Sequence, residues 1–417
     1  MSHATPTPQT TLPEIVFYAL QPWENEYPSP SLGLARALAV HTRVWYVSRP
    51  PTWRDVLQSK EKRSRPAGVY EEAGEEGSVL KVVEMAATAP INSLPAESWL
   101  YDTARARVER GMNRELGDIL AANGVGDYLW INMFAPTQFV EVTLHRPPLA
   151  RYYYTIDAIE ENWYTGRHGL RHEAIQAAKS DAVFGTSSKL GETMASFRDA
   201  SGAACAKTVH VLPNAMAADI YLANPDAPEP ADIRDLPHPR LGFVGNFDAT
   251  RIDYDGIAVL AKARPDVQFV FIGPWNASDA HRATFESLPN IHLLGRRDQR
   301  ECPPYLRHVD ICIIPFAVNA LTASIYPLKI NEYLAIGKPV LATPFSKDIQ
   351  DFRENIDLAP IGEWARMIEP VIARHSPERQ EASVARAKDN TWASRARTFL
   401  SLVGYPVAAR TPTASAV

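Results

Sequence analysis

Twice along this chain a short apolar run, a stretch of helical apolar spacing and a second short apolar run follow one another. The first series opens at Ile15–Leu20, passes a Pro-rich loop (QPWENEYPSPS), continues through a helix carrying Leu32, Leu34, Leu38 and Val40, and reaches Val44–Val47. The second begins at Leu241–Gly245, with a helix from Tyr254 to Ala263 and the run Gln268–Gly273. Each is a βαβ unit. Parallel strands joined by crossover helices commit a chain to an α/β sheet, because the helices must bury their apolar stripes against it. Runs at Tyr128–Ile131, Tyr152–Ile156, Ala182–Gly185 and Thr208–Leu212 extend the first series. Ile291–Leu294, Ile311–Pro315 and Val340–Thr343 extend the second.

Between the two series lies NPDAPEPADIRDLPHP, residues 224–239, which is Pro-rich, acidic and without helical or strand period; it reads as a linker. A chain of 417 residues exceeds what one core ordinarily serves. The expected organisation is therefore a Rossmann-like lobe over 13–223, the linker, a second Rossmann-like lobe over 240–390, and a helix over 391–405 that packs back on the first lobe. Trp392, Ala396, Phe399, Leu400 and Val403 supply that helix with its apolar face. Residues 1–12 and 406–417 are small, polar and Pro-rich, and are expected to be disordered. Open α/β sheets bind ligands outside the carboxyl ends of their strands, so a cleft between the lobes is the expected site.

A net charge of −5 provides no general reason to expect nucleic acid as a partner. The three cysteines, Cys205, Cys302 and Cys312, form no CxxC pair, which suits a reducing compartment. The first residues have neither the basic nor the apolar region of a secretory signal, and no apolar run approaches about 18 residues. The expectation is a cytoplasmic protein, with peripheral contact at the inner face of a membrane left open.

The most informative segment is SIYPLKINEYLAIGKPVLAT, residues 324–343. Pro327 can open a helix, since the first helical position needs no backbone N–H, and Gly337 is a natural residue just past its end. The helix start offers unpaired N–H groups and the positive end of the helix dipole, a ready site for a diphosphate. Lys329 adds a cation in the first turn, and Glu332 shares its face three residues on. A carboxylate there can accept the hydroxyls of a ribose while the lysine neutralises phosphate. The bland alternative is a surface ion pair on an amphipathic helix, with Leu328, Tyr333 and Leu334 as core. Helix start, lysine, carboxylate and following strand occur together, which favours the binding reading.

The same segment resembles the donor-binding region of bacterial two-lobed sugar transferases, the large retaining family with the GT-B fold, and most of all its teichuronic-acid and exopolysaccharide branch. GFVGNFDATRIDYDGI (242–257), VFIGPW (270–275), HLLGRRDQRECPPYL (292–306), VDICIIPF (309–316), LWINMFAP (129–136) and YYYTIDAIEENW (152–163) are similar as well. The resemblance implies a metal-independent glycosyltransferase without a cofactor. Its donor would be a nucleotide diphosphate-sugar on the second lobe, its acceptor a saccharide or lipid-linked saccharide on the first. It implies that Lys329 meets the donor diphosphate, that Glu332 meets the ribose, and that Gly245 and Asn246 approach the phosphates or sugar. Gly273 and Arg296 would lie near the base, with Ser324, Tyr326 and Leu328 completing the donor set. One departure stands out. Many retaining relatives carry a glutamate against the donor sugar where this chain has Ser324, and this leaves the anomeric outcome open.

Asp157 is the candidate catalytic residue of the first lobe, since it follows the run Tyr152–Ile156 and an inverting transferase needs a base for the acceptor hydroxyl. Capping of the next helical turn is the equal alternative; Glu160 and Glu161 are weaker candidates. Asp253-Tyr254-Asp255 spells a DxD, but at a helix start its carboxylates are expected to cap. His168 and His172, four apart without a third ligand, are expected to be surface or substrate-contact residues rather than a metal pair. The basic stretches KEKRSRP (60–66) and Arg105, Arg107, Arg110 and Arg114 read as solvated charge, with binding to anionic headgroups as the rival. No GxGxxG follows either first strand, which argues against a nicotinamide dehydrogenase. Two rival functions stay open: a nucleotide-sugar 2-epimerase, and a non-catalytic transferase-like scaffold.

Overall fold

A computed structural model describes residues 12–24, 29–58, 65–96, 98–161 and 166–407. The predicted segments 1–11, 60–64, 162–163 and 408–417 lie outside the described residues. The chain forms two compact units, residues 1–213 with 393–417 and residues 214–392.

The first unit is built on an eight-stranded sheet. In chain order its strands are β1 (Glu14–Ala19), β2 (Val44–Ser48), β3 (Gly68–Ala73), β4 (Val79–Glu84), β5 (Tyr128–Met133), β6 (Ala150–Thr155), β7 (Ala182–Gly185) and β8 (Val209–Val211). Their spatial order is β3-β4-β2-β1-β5-β6-β7-β8, parallel throughout except for the antiparallel pair β3–β4. Strands β1, β2 and β5 are buried at every position bar Glu14, as expected for strands covered on both faces. The helices are α1 (Pro30–Leu38), α2 (Trp53–Leu57), α3 (Trp99–Ala122), α4 (Gly166–Lys179) and α5 (Ser188–Ser196).

The second unit carries a six-stranded, wholly parallel sheet of β9 (Arg240–Val244), β11 (Gln268–Ile272), β13 (Ile291–Gly295), β14 (Ile311–Ile314), β15 (Val340–Ala342) and β16 (Asp357–Leu358). The two-residue strands β10 (Phe247–Asp248) and β12 (Trp275–Asn276) pair beside it. The order β13-β11-β9-β14-β15-β16 is the doubly wound order 3-2-1-4-5-6. Its helices are α6 (Ala218–Tyr221), α7 (Tyr254–Ala263), α8 (Asp279–Glu286), α9 (Cys302–Arg307), α10 (Ala320–Ala323), α11 (Leu328–Ile336), α12 (Ile368–Ala373) and α13 (Pro377–Lys388). The closing helix α14 (Trp392–Leu402) sets Phe399 against Tyr152 and Phe184 of the first unit, with ring centroids 5.7 and 5.0 Å apart.

Several expectations need correction. Residues 224–239 are no linker: the boundary falls at Pro213/Asn214, and this stretch packs within the second unit. Arg240, 2% exposed, ties it down by donating to the Leu236 carbonyl at 2.9 Å and pairing with Glu229, while Ile233 is fully buried. The basic stretch 105–114 belongs to the 24-residue α3, whose helical period is obscured because Glu109 and Asn113 face inward. They do so to satisfy a loop: Asn113 Oδ1 accepts from the Thr143 N–H at 2.7 Å, and Glu109 accepts from those of Val140 and Glu141. His168 and His172 are buried rather than on the surface. His168 stacks on Tyr101 at 3.6 Å, and His172 Nδ1 lies 2.8 Å from the His168 carbonyl. Burial holds both imidazoles below their ordinary pKa.

Candidate functional site

In the second sheet the strand order reverses between β9 and β14, and a doubly wound sheet opens a crevice at the carboxyl ends of such a pair. Helix α11 starts beside that point. Its first residue is Leu328, one later than the proline-led start expected, and Pro327 is the N-cap, extended at φ −75°, ψ 106° and without a side-chain acceptor for the first-turn N–H groups. A helix start left without a protein cap is chemically an anion site. Gly337 ends the helix in the left-handed conformation at φ 75°.

Lys329 and Glu332 come together as the spacing requires: Lys329 Nζ donates to Glu332 Oε2 at 3.1 Å. Their burial is unequal. The lysine side chain is 20% exposed and the glutamate 1%. This excludes the surface ion pair weighed against the binding reading, because a carboxylate so deep is held by specific partners. The buried Tyr221 hydroxyl is one of them; burial first, and then the Glu332 carboxylate, keeps it protonated far above the ordinary tyrosine range. The Cys302 thiol lies in the same field. Burial first pushes it up to about 12, with Lys329 opposing and Glu332 adding to the shift. Tyr221 was not identifiable from sequence, because α6 is remote along the chain and carries no motif.

The glycines act through shape. The Gly245 N–H is already used on the Ile272 carbonyl at 2.9 Å, so Gly245 offers close approach rather than a donor. A Cβ there would lie 2.7 Å from the Phe243 ring and 3.2 Å from Lys329 Cε. Gly273 sits at φ +147°, and a Cβ on it would fall 1.7 Å from the Gly245 carbonyl oxygen. Two loops at the strand ends therefore touch backbone to backbone beside Lys329. Tyr333, fully buried on α11, accepts from the Val244 N–H at 3.0 Å and locks the helix to the end of β9.

The other expected donor residues are placed less directly. Asn246 is exposed after β9, and its Oδ1 accepts from Asn276 Nδ2 at 2.7 Å. Arg296 is exposed beyond β13, two strands from β9. Ser324 is buried at the end of α10, its hydroxyl donating to the Leu321 carbonyl at 2.6 Å. Tyr326 is 5% exposed and its hydroxyl accepts from Asn331 Nδ2 at 3.3 Å, which makes it a brace for the start of α11. Leu328 is half-buried. Asp253 caps α7, its Oδ1 accepting from the Gly256 N–H at 2.8 Å, as the helix-start reading had it. Among the described residues no group of three or more His, Cys, Asp or Glu is arranged to hold a metal ion.

In the first unit Asp157 follows β6, half-buried, and its Oδ1 accepts from the Ala158 N–H at 3.1 Å. Deeper in the same unit Glu173, 2% exposed, accepts from the Tyr153 hydroxyl at 3.0 Å, and burial raises its carboxyl to about 7.

Comparison with known proteins gives this geometry a family. Residues 238–372 match the glycosyl transferases group 1 family, so the second unit carries a domain of that family. A Bacillus subtilis protein named as a teichuronic acid biosynthesis glycosyltransferase, TuaH, is 32% identical over 136 residues, 32% of this chain. The match spans 34% of that relative's length. Sucrose-phosphate synthase from Thermosynechococcus elongatus superimposes with a TM-score of 0.65 at 16% identity, over 94% of this chain and 98% of that one. The Anabaena protein HepE, solved with UDP, does so with a TM-score of 0.60 at 14% identity, over 93% and 99%. The chain has the GT-B fold of two Rossmann-like units.

Proposed function

We propose that this chain is a glycosyltransferase that moves a sugar from a nucleotide diphosphate-sugar to a hydroxyl of a saccharide acceptor, in the synthesis of a cell-surface polysaccharide or glycolipid. The observation that carries the reading is the Lys329–Glu332 pair, with its carboxylate buried, at the uncapped start of α11 beside the strand switch point. That geometry lies within the segment that matches the group 1 transferases. Lys329 and the first-turn N–H groups neutralise the diphosphate, which is the leaving group when the glycosidic bond to the donor breaks. Glu332 accepts ribose hydroxyls. The touching glycines 245 and 273 leave room for the phosphates and the base. Asp157 takes the proton of the attacking hydroxyl, the role of a general base.

With a lysine and a helix dipole supplying positive charge, the reaction runs without a metal. A lipid-linked acceptor suits the exposed apolar side chains of the first unit. Trp53 and Leu57 on α2 are 53% and 76% exposed and Trp99 at the start of α3 is 74% exposed, as expected where apolar side chains meet an interface. Among the described residues no helix is long and apolar enough to cross a membrane. The test is transfer from UDP-, GDP-, ADP- and dTDP-sugars to saccharide and polyprenyl-phosphate-linked acceptors, in EDTA and in Mg²⁺, with NMR assignment of the product anomer. Transfer in EDTA is expected. Absence of transfer from every donor, or sugar isomerisation without acceptor, would overturn the reading.

A further inference from the structure

The first sheet has its own switch point, between β1 and β5, and a cavity of about 500 Å³ opens beyond the strand ends there. Its wall takes Arg49 just after β2, Arg54 from α2, Arg105 from α3 and Arg167 from α4. Among the described residues the acidic side chains of the wall are Asp55 and Glu109. Both are committed elsewhere. Asp55 Oδ2 accepts from the Thr52 N–H at 3.0 Å and the Thr52 hydroxyl at 2.6 Å, closing the capping box of α2. Glu109 accepts from the backbone of the 140–141 loop and from Arg105 at 2.8 Å. Arg105 is thereby paired with Glu109, and the described wall as a whole carries four guanidiniums against two carboxylates.

We propose that this cavity binds a saccharide carrying an acid group, a carboxylate or a phosphate. Guanidinium is the side chain whose planar fork matches both anions in pairs of hydrogen bonds, and arginine, unlike lysine, holds its charge in a partly buried wall. The same wall presents Asn92, Ser93 and Thr137, whose amide and hydroxyls suit sugar hydroxyls, and the apolar Val108 and Met112, which suit the face of a sugar ring. The volume lies within the range of small-ligand pockets. Calling this ligand the acceptor rests on the transferase reading; its binding does not.

The test uses the full chain and titration calorimetry with glucuronate, glucose 6-phosphate and glucose, and with UDP as a separate probe. At least one acidic sugar should bind ten times more tightly than glucose, and which one binds distinguishes carboxylate from phosphate. Arg54→Gln and Arg167→Gln alter exposed side chains and leave the Arg105–Glu109 pair intact. Each should weaken the acidic sugar about tenfold and leave UDP binding as in the parent. Glucose binding as tightly as either acidic sugar, no binding of either acidic sugar, or variants that bind like the parent would each overturn the proposal. A parent that takes an acidic sugar and no nucleotide diphosphate would instead sink the transferase reading and leave the cavity assignment standing.

Discussion

Replacing Lys329 with alanine has two separable consequences, because its partner is buried. The first is on the donor. Loss of one charge-assisted hydrogen bond to a diphosphate is worth roughly 1.5–3 kcal/mol, or about ten- to over a hundredfold in Kd. The second is on stability. Glu332 is 1% exposed, and without Nζ at 3.1 Å its carboxylate is left in the interior with the Tyr221 hydroxyl. Breaking a buried pair from one side is worth roughly 3–5 kcal/mol. The 20% exposure of Lys329 lowers that figure, because water already screens one side of the pair. A loss of about 2–3 kcal/mol in unfolding free energy follows. The double variant Lys329→Ala/Glu332→Gln removes the orphaned charge, so it should regain most of the stability and none of the affinity. The assay is calorimetric titration with whichever of UDP, GDP, ADP and dTDP the parent binds best, beside urea unfolding of the three proteins. Parent-like nucleotide affinity in a folded Lys329→Ala protein would refute the diphosphate role. Recovery of affinity together with stability in the double variant would show that Lys329 acts only by holding Glu332.

Asp157→Asn should lower kcat by roughly 10²–10⁴-fold with donor affinity unchanged, because asparagine keeps the shape without the basicity; a near-normal kcat removes it as the base. Glu173 has a raised folded pKa of about 7, so its stabilising contribution is complete below its unfolded value and is lost as pH rises through about 7. Glu173→Gln should therefore gain roughly 3 kcal/mol on the parent between pH 4.5 and pH 8 in urea unfolding, and a pH-independent difference would contradict the burial argument. Gly273→Ala forces a Cβ to 1.7 Å from the Gly245 carbonyl at a φ of +147°, so it should destabilise by about 2 kcal/mol or more and weaken nucleotide binding. The control is Gly111→Ala, where nothing lies within 4 Å on exposed α3, and it should stabilise by up to about 1 kcal/mol.

What the sequence alone determined is local in origin. Period and composition marked the fully buried strands β1, β2, β5, β9, β11 and β14, because a strand covered on both faces must be apolar throughout and is bounded by polar turns. The Lys329–Glu332 pair was legible for the same kind of reason. A three-residue spacing on a helix brings two side chains together whatever surrounds them. Tertiary structure decided the rest, because it turns on which remote segments meet. The hairpin β3–β4 and the two-residue strand β16 lie on or next to sheet edges, where one open face dilutes the apolar signal. The stretch 224–239 looked like a linker because proline and acid residues mimic one, yet Arg240 and Asp310, 70 residues apart, hold its end in the second unit. The burial of Glu332 depends on Tyr221, more than a hundred residues upstream. The arginine cavity gathers Arg49, Arg54, Arg105 and Arg167 from four separate elements. No spacing along the chain encodes that meeting, since it is the parallel sheet that delivers the carboxyl ends of distant strands to one place.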